Sequence, residues 1–313
     1  MLRRMLLAAA ASERMRRGVT TTPRTRAIVD RYVAGDGTAD AVRAARELRA
    51  DGLLVTLDFL GEDTTDVHQA SGVADEYVRL LGELSAAGLT AGGACEVSVK
   101  ATAVGLFLPE NGEKTATENI ARICAAARAA GTTVTLDAED HPAVGPTLGI
   151  AAQLRPEFSD LGCVVQARLR RSAPDCEELA AAGARVRLCK GAYDEPADVG
   201  FARPAEVDRS YARCMRLLMA GPGYPMIATH DPRLIEIATA LALLAGRRAD
   251  SFEYQMLYGI RPAEQQRLAA TGAQVRVYVP YGGDWYGYLV RRLAERPGNL
   301  AFFLRSLTSG GSS

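Results

Sequence analysis

From residue 53 onward, short apolar runs alternate with longer stretches in which apolar positions recur every three or four residues. The short runs read as buried strands and the longer periodic ones as amphipathic helices. Strands are expected at 53–58, 95–100, 133–137, 163–166, 186–190, 226–230, 252–256 and 275–278. The clearest helices between them fall at 65–87 and 115–130. Gly88, Gly131, Gly183, Gly246 and Gly272 stand where intervening helices should stop, because glycine takes the left-handed residue after a helix without steric penalty. Eight such alternations predict an α/β fold of the (βα)8 TIM-barrel type. The competing open, doubly wound sheet would carry GxGxxG or GxxxxGK[ST] after its first strand, and neither occurs. Two further helical stretches, 24–33 and 38–50, precede the pattern. The expected organisation is N-terminal helices packing on the barrel (1–52), the catalytic barrel (53–307) and a flexible tail (308–313).

Composition narrows the class. The 313 residues are 48% hydrophobic and 24% charged, with 37 basic against 37 acidic side chains. That balance lacks the basic stripe nucleic-acid binding needs. The six cysteines have no CxxC spacing and no paired histidines, which reads as reduced intracellular thiols and no metal site. The first residues form a short Ala-rich apolar run flanked by Arg3, Arg4, Arg14, Arg16 and Arg17. This resembles a cationic amphipathic helix more than a cleaved export signal. No stretch approaches the roughly 20 apolar residues that span a bilayer. A cytoplasmic protein with at most peripheral membrane contact is expected.

In such barrels the active site lies at the C-terminal ends of the strands. Reading off those ends gives Asp58, Lys100, Asp137 with Glu139, Gln166 with Arg168, Lys190, His230, Gln255 and Tyr278. Lys100 and Asp137, on neighbouring strands, are expected to form an ion pair at the mouth. The plainer reading of Asp58 and Glu139 is as loop or helix-cap residues, and of Arg168 as a solvent-facing cation. Lys190 has two readings, a Schiff-base nucleophile or a phosphate or cofactor contact with Gly191 letting a ligand approach the backbone. His68, His141 and His230 have no ligand-like spacing, so a metal-dependent hydrolase is disfavoured. Arg291 and Arg292 follow an aromatic-rich strand end and a Gly turn. Two guanidinium groups beside tyrosines suit recognition of a small carboxylic acid.

Seven segments, in this order on successive strands, resemble proline dehydrogenase: Ser98-Val99-Lys100, Leu136-Asp137-Ala138-Glu139, Val165-Gln166-Ala167, Arg187-Leu188-Cys189-Lys190-Gly191-Ala192-Tyr193, Ala228-Thr229-His230, Tyr254-Gln255-Met256-Leu257-Tyr258-Gly259, and 278–292. The resemblance runs from about residue 53 to 304, and the basic N-terminal helices also resemble those of the short, monofunctional bacterial members. It implies a distorted (βα)8 barrel that binds FAD without a Rossmann motif, its last helix lying over the mouth. Adjacent helical residues diverge by about 100°, and such a placement lets Arg291 and Arg292 meet one ligand. The resemblance assigns them the proline carboxylate with help from Lys100, pairs Asp137 with that lysine, and sets Tyr278 against the substrate ring. Members of that family that prefer hydroxyproline tend to lack this tyrosine, so the resemblance implies L-proline as the substrate. Tyr288 and Leu257 would line the apolar side. Flavin contacts would fall on Gln166, Arg187, Lys190, Gly191, Ala192, Thr229, His230 and Gln255. Cys189 departs from the commoner aliphatic residue.

The implied reaction is hydride transfer from proline to FAD, giving Δ1-pyrroline-5-carboxylate, the first step of proline catabolism to glutamate. Electrons would pass to a membrane quinone through peripheral inner-membrane contact. A separate pyrroline-5-carboxylate dehydrogenase would complete the pathway. Two alternatives stand beside this: an aldolase built on Lys190, and a barrel that binds proline or flavin as a sensor without turnover.

Overall fold

The computed structural model describes residues 29–62 and 64–294, with side chains described as far as Leu289. Eight parallel strands, β1 (Leu54–Phe59), β2 (Cys95–Val99), β3 (Val134–Leu136), β4 (Gly162–Gln166), β5 (Arg185–Cys189), β6 (Tyr224–Ala228), β7 (Glu253–Leu257) and β8 (Val275–Tyr281), close into a barrel in sequence order. Closure is direct: β1 pairs with β8 from Leu54–Arg276 to Phe59–Tyr281. The helices are α1 (Thr38–Ala50), α2 (Val67–Ala86), α3 (Gly112–Ala129), α4 (His141–Leu154), α5 (Ser172–Ala181), α6 (Pro204–Ala220), α7 (Pro232–Leu244), α8 (Pro262–Ala270) and α9 (Trp285–Ala294).

Local chemistry sets the helix limits. The Asp66 carboxylate accepts from the His68 and Gln69 amides and starts α2, while Asp231 caps α7 through the Arg233 amide. Both use a short side-chain acceptor to satisfy amides that have no partner inside the helix. The five expected helix-ending glycines all have φ between +63° and +82°. Strand limits differ from expectation mainly at β8, which runs three residues further, to Tyr281.

Between barrel wall and helices lies an apolar shell in which Leu57, Val97, Leu136, Val186, Ile227 and Val277 are fully buried. Tyrosines tie helices to the wall: Tyr77 of α2 donates to the Ser98 carbonyl, and Tyr211 of α6 to that of Leu188. Helix α1 packs against β8 and β1, the wall position that the helix after β8 fills in a regular barrel. That leaves α9 free for the mouth, where Tyr288 reaches the central cavity. Among the described residues no helix is long and apolar enough to cross a membrane. The basic helix expected at the N-terminus, and most of the helix expected at 24–33, lie outside the described residues.

Candidate active site

A strand alternates its side chains between two faces. Here the outward faces are apolar and much of the inward face is polar. Thr56, Asp58, Glu96, Ser98, Thr135, Arg187, Glu253, Gln255 and Arg276 are all buried, and contacts between non-adjacent strands place them inside the barrel. Arg187 of β5 donates to Gln255 of β7 at 2.5 Å and to Ser98 of β2 at 3.0 Å. TIM-barrel interiors are usually filled by bulky aliphatic residues. This one holds four cations, Lys100, Arg185, Arg187 and Arg276, and four carboxylates, Asp58, Glu96, Asp137 and Glu253.

At the floor, Glu96 is fully buried and accepts from Thr56, Thr133 and Thr135 and, at 2.9 Å, from Arg185. Burial pushes its carboxyl up, but Arg276, Arg185 and Arg187 outweigh this and hold it well below the usual range. Glu253 pairs with Arg276 at 2.7 Å. Polar residues on the same face as the mouth residues, two positions below Gln255 and Tyr278 and four below Lys100, were the available signal for Glu253, Arg276 and Glu96. Reading only the strand ends passes over them.

At the mouth the expected Lys100–Asp137 pair is replaced. Lys100 Nζ lies 2.7 and 2.8 Å from the two oxygens of Asp58, so Asp58 is a strand residue holding the lysine, neither loop nor cap. Both strands present these side chains inward, and Asp58 sits opposite Ser98 in the β1–β2 register, one turn of the pleat below Lys100. Asp137 instead accepts the Tyr278 hydroxyl at 2.6 Å and lies 3.6 Å from Arg187. Burial raises its carboxyl, yet Arg187, Lys100 and the Tyr278 hydrogen bond hold it below the ordinary value. Burial likewise opposes the Lys100 charge, and the facing Asp58 and Asp137 outweigh it and raise its pKa. The Arg187 guanidinium stacks 5.2 Å from the Tyr278 ring centre.

Glu139 lies in the loop after β3, as the loop reading had it. It is buried, accepts from the Thr102 amide at 3.2 Å and from the Thr102 hydroxyl, and burial pushes its pKa up to about 7. Arg168 does not simply face solvent: it donates to the Gly191 and Phe201 carbonyls and so pins the segment after β5.

One cavity of about 390 Å³ brings together Lys100, Asp137, Gln166, Arg187, Lys190, Gly191, Ala192, Thr229, His230, Gln255, Leu257, Tyr278 and Tyr288. Thirteen of the fifteen expected site residues therefore share it. The other two, Arg291 and Arg292, belong to α9 by their backbone, but their side chains lie outside the described residues. Lys190 sits at the outer edge, 2.6 Å from Asp208 and 3.4 Å from Asp231. An ammonium engaged by two carboxylates is not the desolvated amine of a Schiff-base enzyme. His230 Nε2 accepts the Leu257 amide at 3.0 Å, which leaves the ring proton on Nδ1. At Gly191 the φ is +92° and an added Cβ would lie 3.0 Å from Gln166 Oε1, so a side chain there would crowd the cavity wall. No cluster of potential metal ligands occurs among the described residues.

The proline dehydrogenase family model matches residues 41–305. The chain belongs to the proline dehydrogenase family. Oxidation of proline is the activity that goes with membership. It is 39% identical over 285 residues to proline dehydrogenase of Deinococcus radiodurans, covering 90% of this chain and 91% of that protein. It is 38% identical over 283 residues to proline dehydrogenase 1 of Bacillus subtilis, with 90% and 91% covered. Among solved structures, proline utilization A of Bdellovibrio bacteriovorus, inactivated by N-propargylglycine, superposes with a TM-score of 0.81 at 24% identity. It covers 92% of this chain but only 36% of that one, and at that identity the likeness speaks to the fold alone.

Proposed function

We propose that this chain is an FAD-dependent L-proline dehydrogenase releasing Δ1-pyrroline-5-carboxylate, with a quinone as electron acceptor. The observation that carries the reading is the cavity itself, lined both by the polar groups of Lys100, Asp137, Arg187 and Tyr278 and by the apolar surfaces of Leu257 and Tyr288.

The residues fit a flavin on the β4–β7 side. Gln166, Arg187, Gln255, Thr229 and His230 line the cavity there with polar side chains. The absent side chain at Gly191 leaves the wall open to a flat ligand, and Lys190 stands at the rim where a diphosphate would emerge. FAD, when bound, supplies the hydride acceptor. The chain's own part is to hold proline beside it. Leu257, Tyr278 and Tyr288 enclose the ring and keep water from it. Lys100, fixed by Asp58, offers a cation to the carboxylate. Asp137, anchored by Tyr278, Arg187 and the Ala138 amide at 3.0 Å, stays ionised and fixes the orientation of Tyr278.

Inside the described barrel the cations are already engaged, Lys100 by Asp58, Arg187 by Asp137 and Arg276 by Glu253, so an entering carboxylate calls for further cations. Arg291 and Arg292 are the residues proposed to neutralise it. Electron delivery to a membrane quinone, peripheral membrane contact through the basic N-terminal segment, and a separate pyrroline-5-carboxylate dehydrogenase as consumer of the product complete the reading.

The test compares L-proline with pyrrolidine, which keeps the ring and lacks the carboxylate. Losing a hydrogen bond to a charged group removes about 1.5–3 kcal/mol, so kcat/KM should fall at least tenfold and, with several such bonds, well over a hundredfold. Equal turnover of the two would contradict carboxylate recognition.

A further inference from the structure

We propose that Glu253, at the floor of the barrel, is a positioning residue that fixes which way round the Gln255 amide sits and, through it, the guanidinium of Arg187. The role in catalysis rests on the reading above that places Arg187 and Gln255 beside the cofactor. The geometry does not depend on that reading.

Glu253 and Gln255 are two residues apart on β7, so both side chains point into the barrel, one pleat above the other. Glu253 Oε1 lies 2.5 Å from Gln255 Nε2 and 2.7 Å from Arg276 Nε. Its other oxygen accepts the Tyr224 hydroxyl at 3.2 Å. A carboxylate only accepts hydrogen bonds, and the two ends of a glutamine amide are a donor and an acceptor. The amide therefore turns its NH2 toward Glu253, which leaves Oε1 to accept from Arg187 Nε at 2.5 Å. The reversed amide would set carbonyl oxygen against carboxylate and NH2 against the guanidinium, two unfavourable contacts at once. All four groups, Arg187, Glu253, Gln255 and Arg276, are at most 4% exposed, so water does not relieve that mismatch. Arg276 is itself held by the Val55 and Gly93 carbonyls, which anchors the chain of contacts at the floor.

The experiment follows the Arg187 Nε–H resonance in arginine-labelled protein, assigned through Arg187→Lys, together with FAD titration. In Glu253→Gln the residue at 253 can donate as well as accept, so both amide orientations become available. Solvent exchange of the Arg187 Nε–H should accelerate at least tenfold and the FAD dissociation constant should rise about tenfold. Tyr224→Phe, which keeps the carboxylate and its bond to Gln255, should leave the resonance in place. Should Glu253→Gln not fold because Arg276 is left uncompensated, Glu253→Gln with Arg276→Met removes both charges and is read in the same way. An unchanged Arg187 resonance in a folded variant lacking the Glu253 carboxylate overturns the proposal. Wild-type protein that fails to bind FAD would instead overturn the cofactor reading, while the resonance still decides the positioning role.

Discussion

The partner of Lys100 can be settled by a double-mutant cycle. Lys100 and Asp58 have side chains 7% and 1% exposed and a bidentate contact. Removing one member of a buried pair leaves an uncompensated charge and destabilises by about 3–5 kcal/mol. Lys100→Met alone should therefore lose that much of a total that rarely exceeds about 15 kcal/mol. The expected drop in midpoint temperature is on the order of 10 °C. Adding Asp58→Asn should recover much of the loss, giving a coupling of about 2–3 kcal/mol. The same cycle with Asp137→Asn should give about 1 kcal/mol or less, because Asp137 keeps Tyr278 and Arg187. Urea unfolding of the six proteins, with equal slopes required for comparison, supplies the numbers. A larger coupling for Lys100 with Asp137 than with Asp58 would refute the assignment.

Other outcomes follow from the same contacts. Tyr278→Phe removes the 2.6 Å bond to Asp137. Asp137 is depressed in the fold and contributes stability that is lost as pH falls through its folded pKa, so the variant should begin to unfold at a higher pH in an acid titration followed by circular dichroism. Glu139, raised to about 7 from 4.5, contributes stability that is present below its unfolded value and lost as pH rises through 7. Glu139→Gln should consequently exceed wild type by about 3 kcal/mol at pH 8 and by only about 1 kcal/mol at pH 5; a pH-independent gap in urea unfolding would contradict this. Arg291→Met and Arg292→Met should each raise the proline KM about ten- to a hundredfold with FAD still bound, and wild-type KM in both would sink the carboxylate assignment.

The barrel was legible because its signal is local. Apolar runs such as Val134–Leu136 and helix-ending glycines such as Gly131 declare themselves within a few residues. Most of the candidate site was legible for the same reason, since strand ends converge in this fold whatever the sequence between them. Pairings were not. Lys100 has carboxylates within reach on both sides, Asp58 on β1 and Asp137 beyond β3, and spacing along the chain does not say which one the barrel's curvature brings nearer. Glu139 follows Asp137 by two residues in a loop, where sequence gives no burial. The floor residues Glu96, Glu253 and Arg276 were passed over because only the strand ends were read, although their alternation with Val97, Tyr254 and Val277 was in plain view.

The most direct measurement is the visible spectrum of the purified protein, taken anaerobically before and after L-proline. The two visible bands of a bound flavin should be present and should bleach with L-proline. A yellow protein that proline leaves unbleached would contradict the substrate, and a colourless protein that cannot be reconstituted with FAD would contradict the cofactor reading of the cavity.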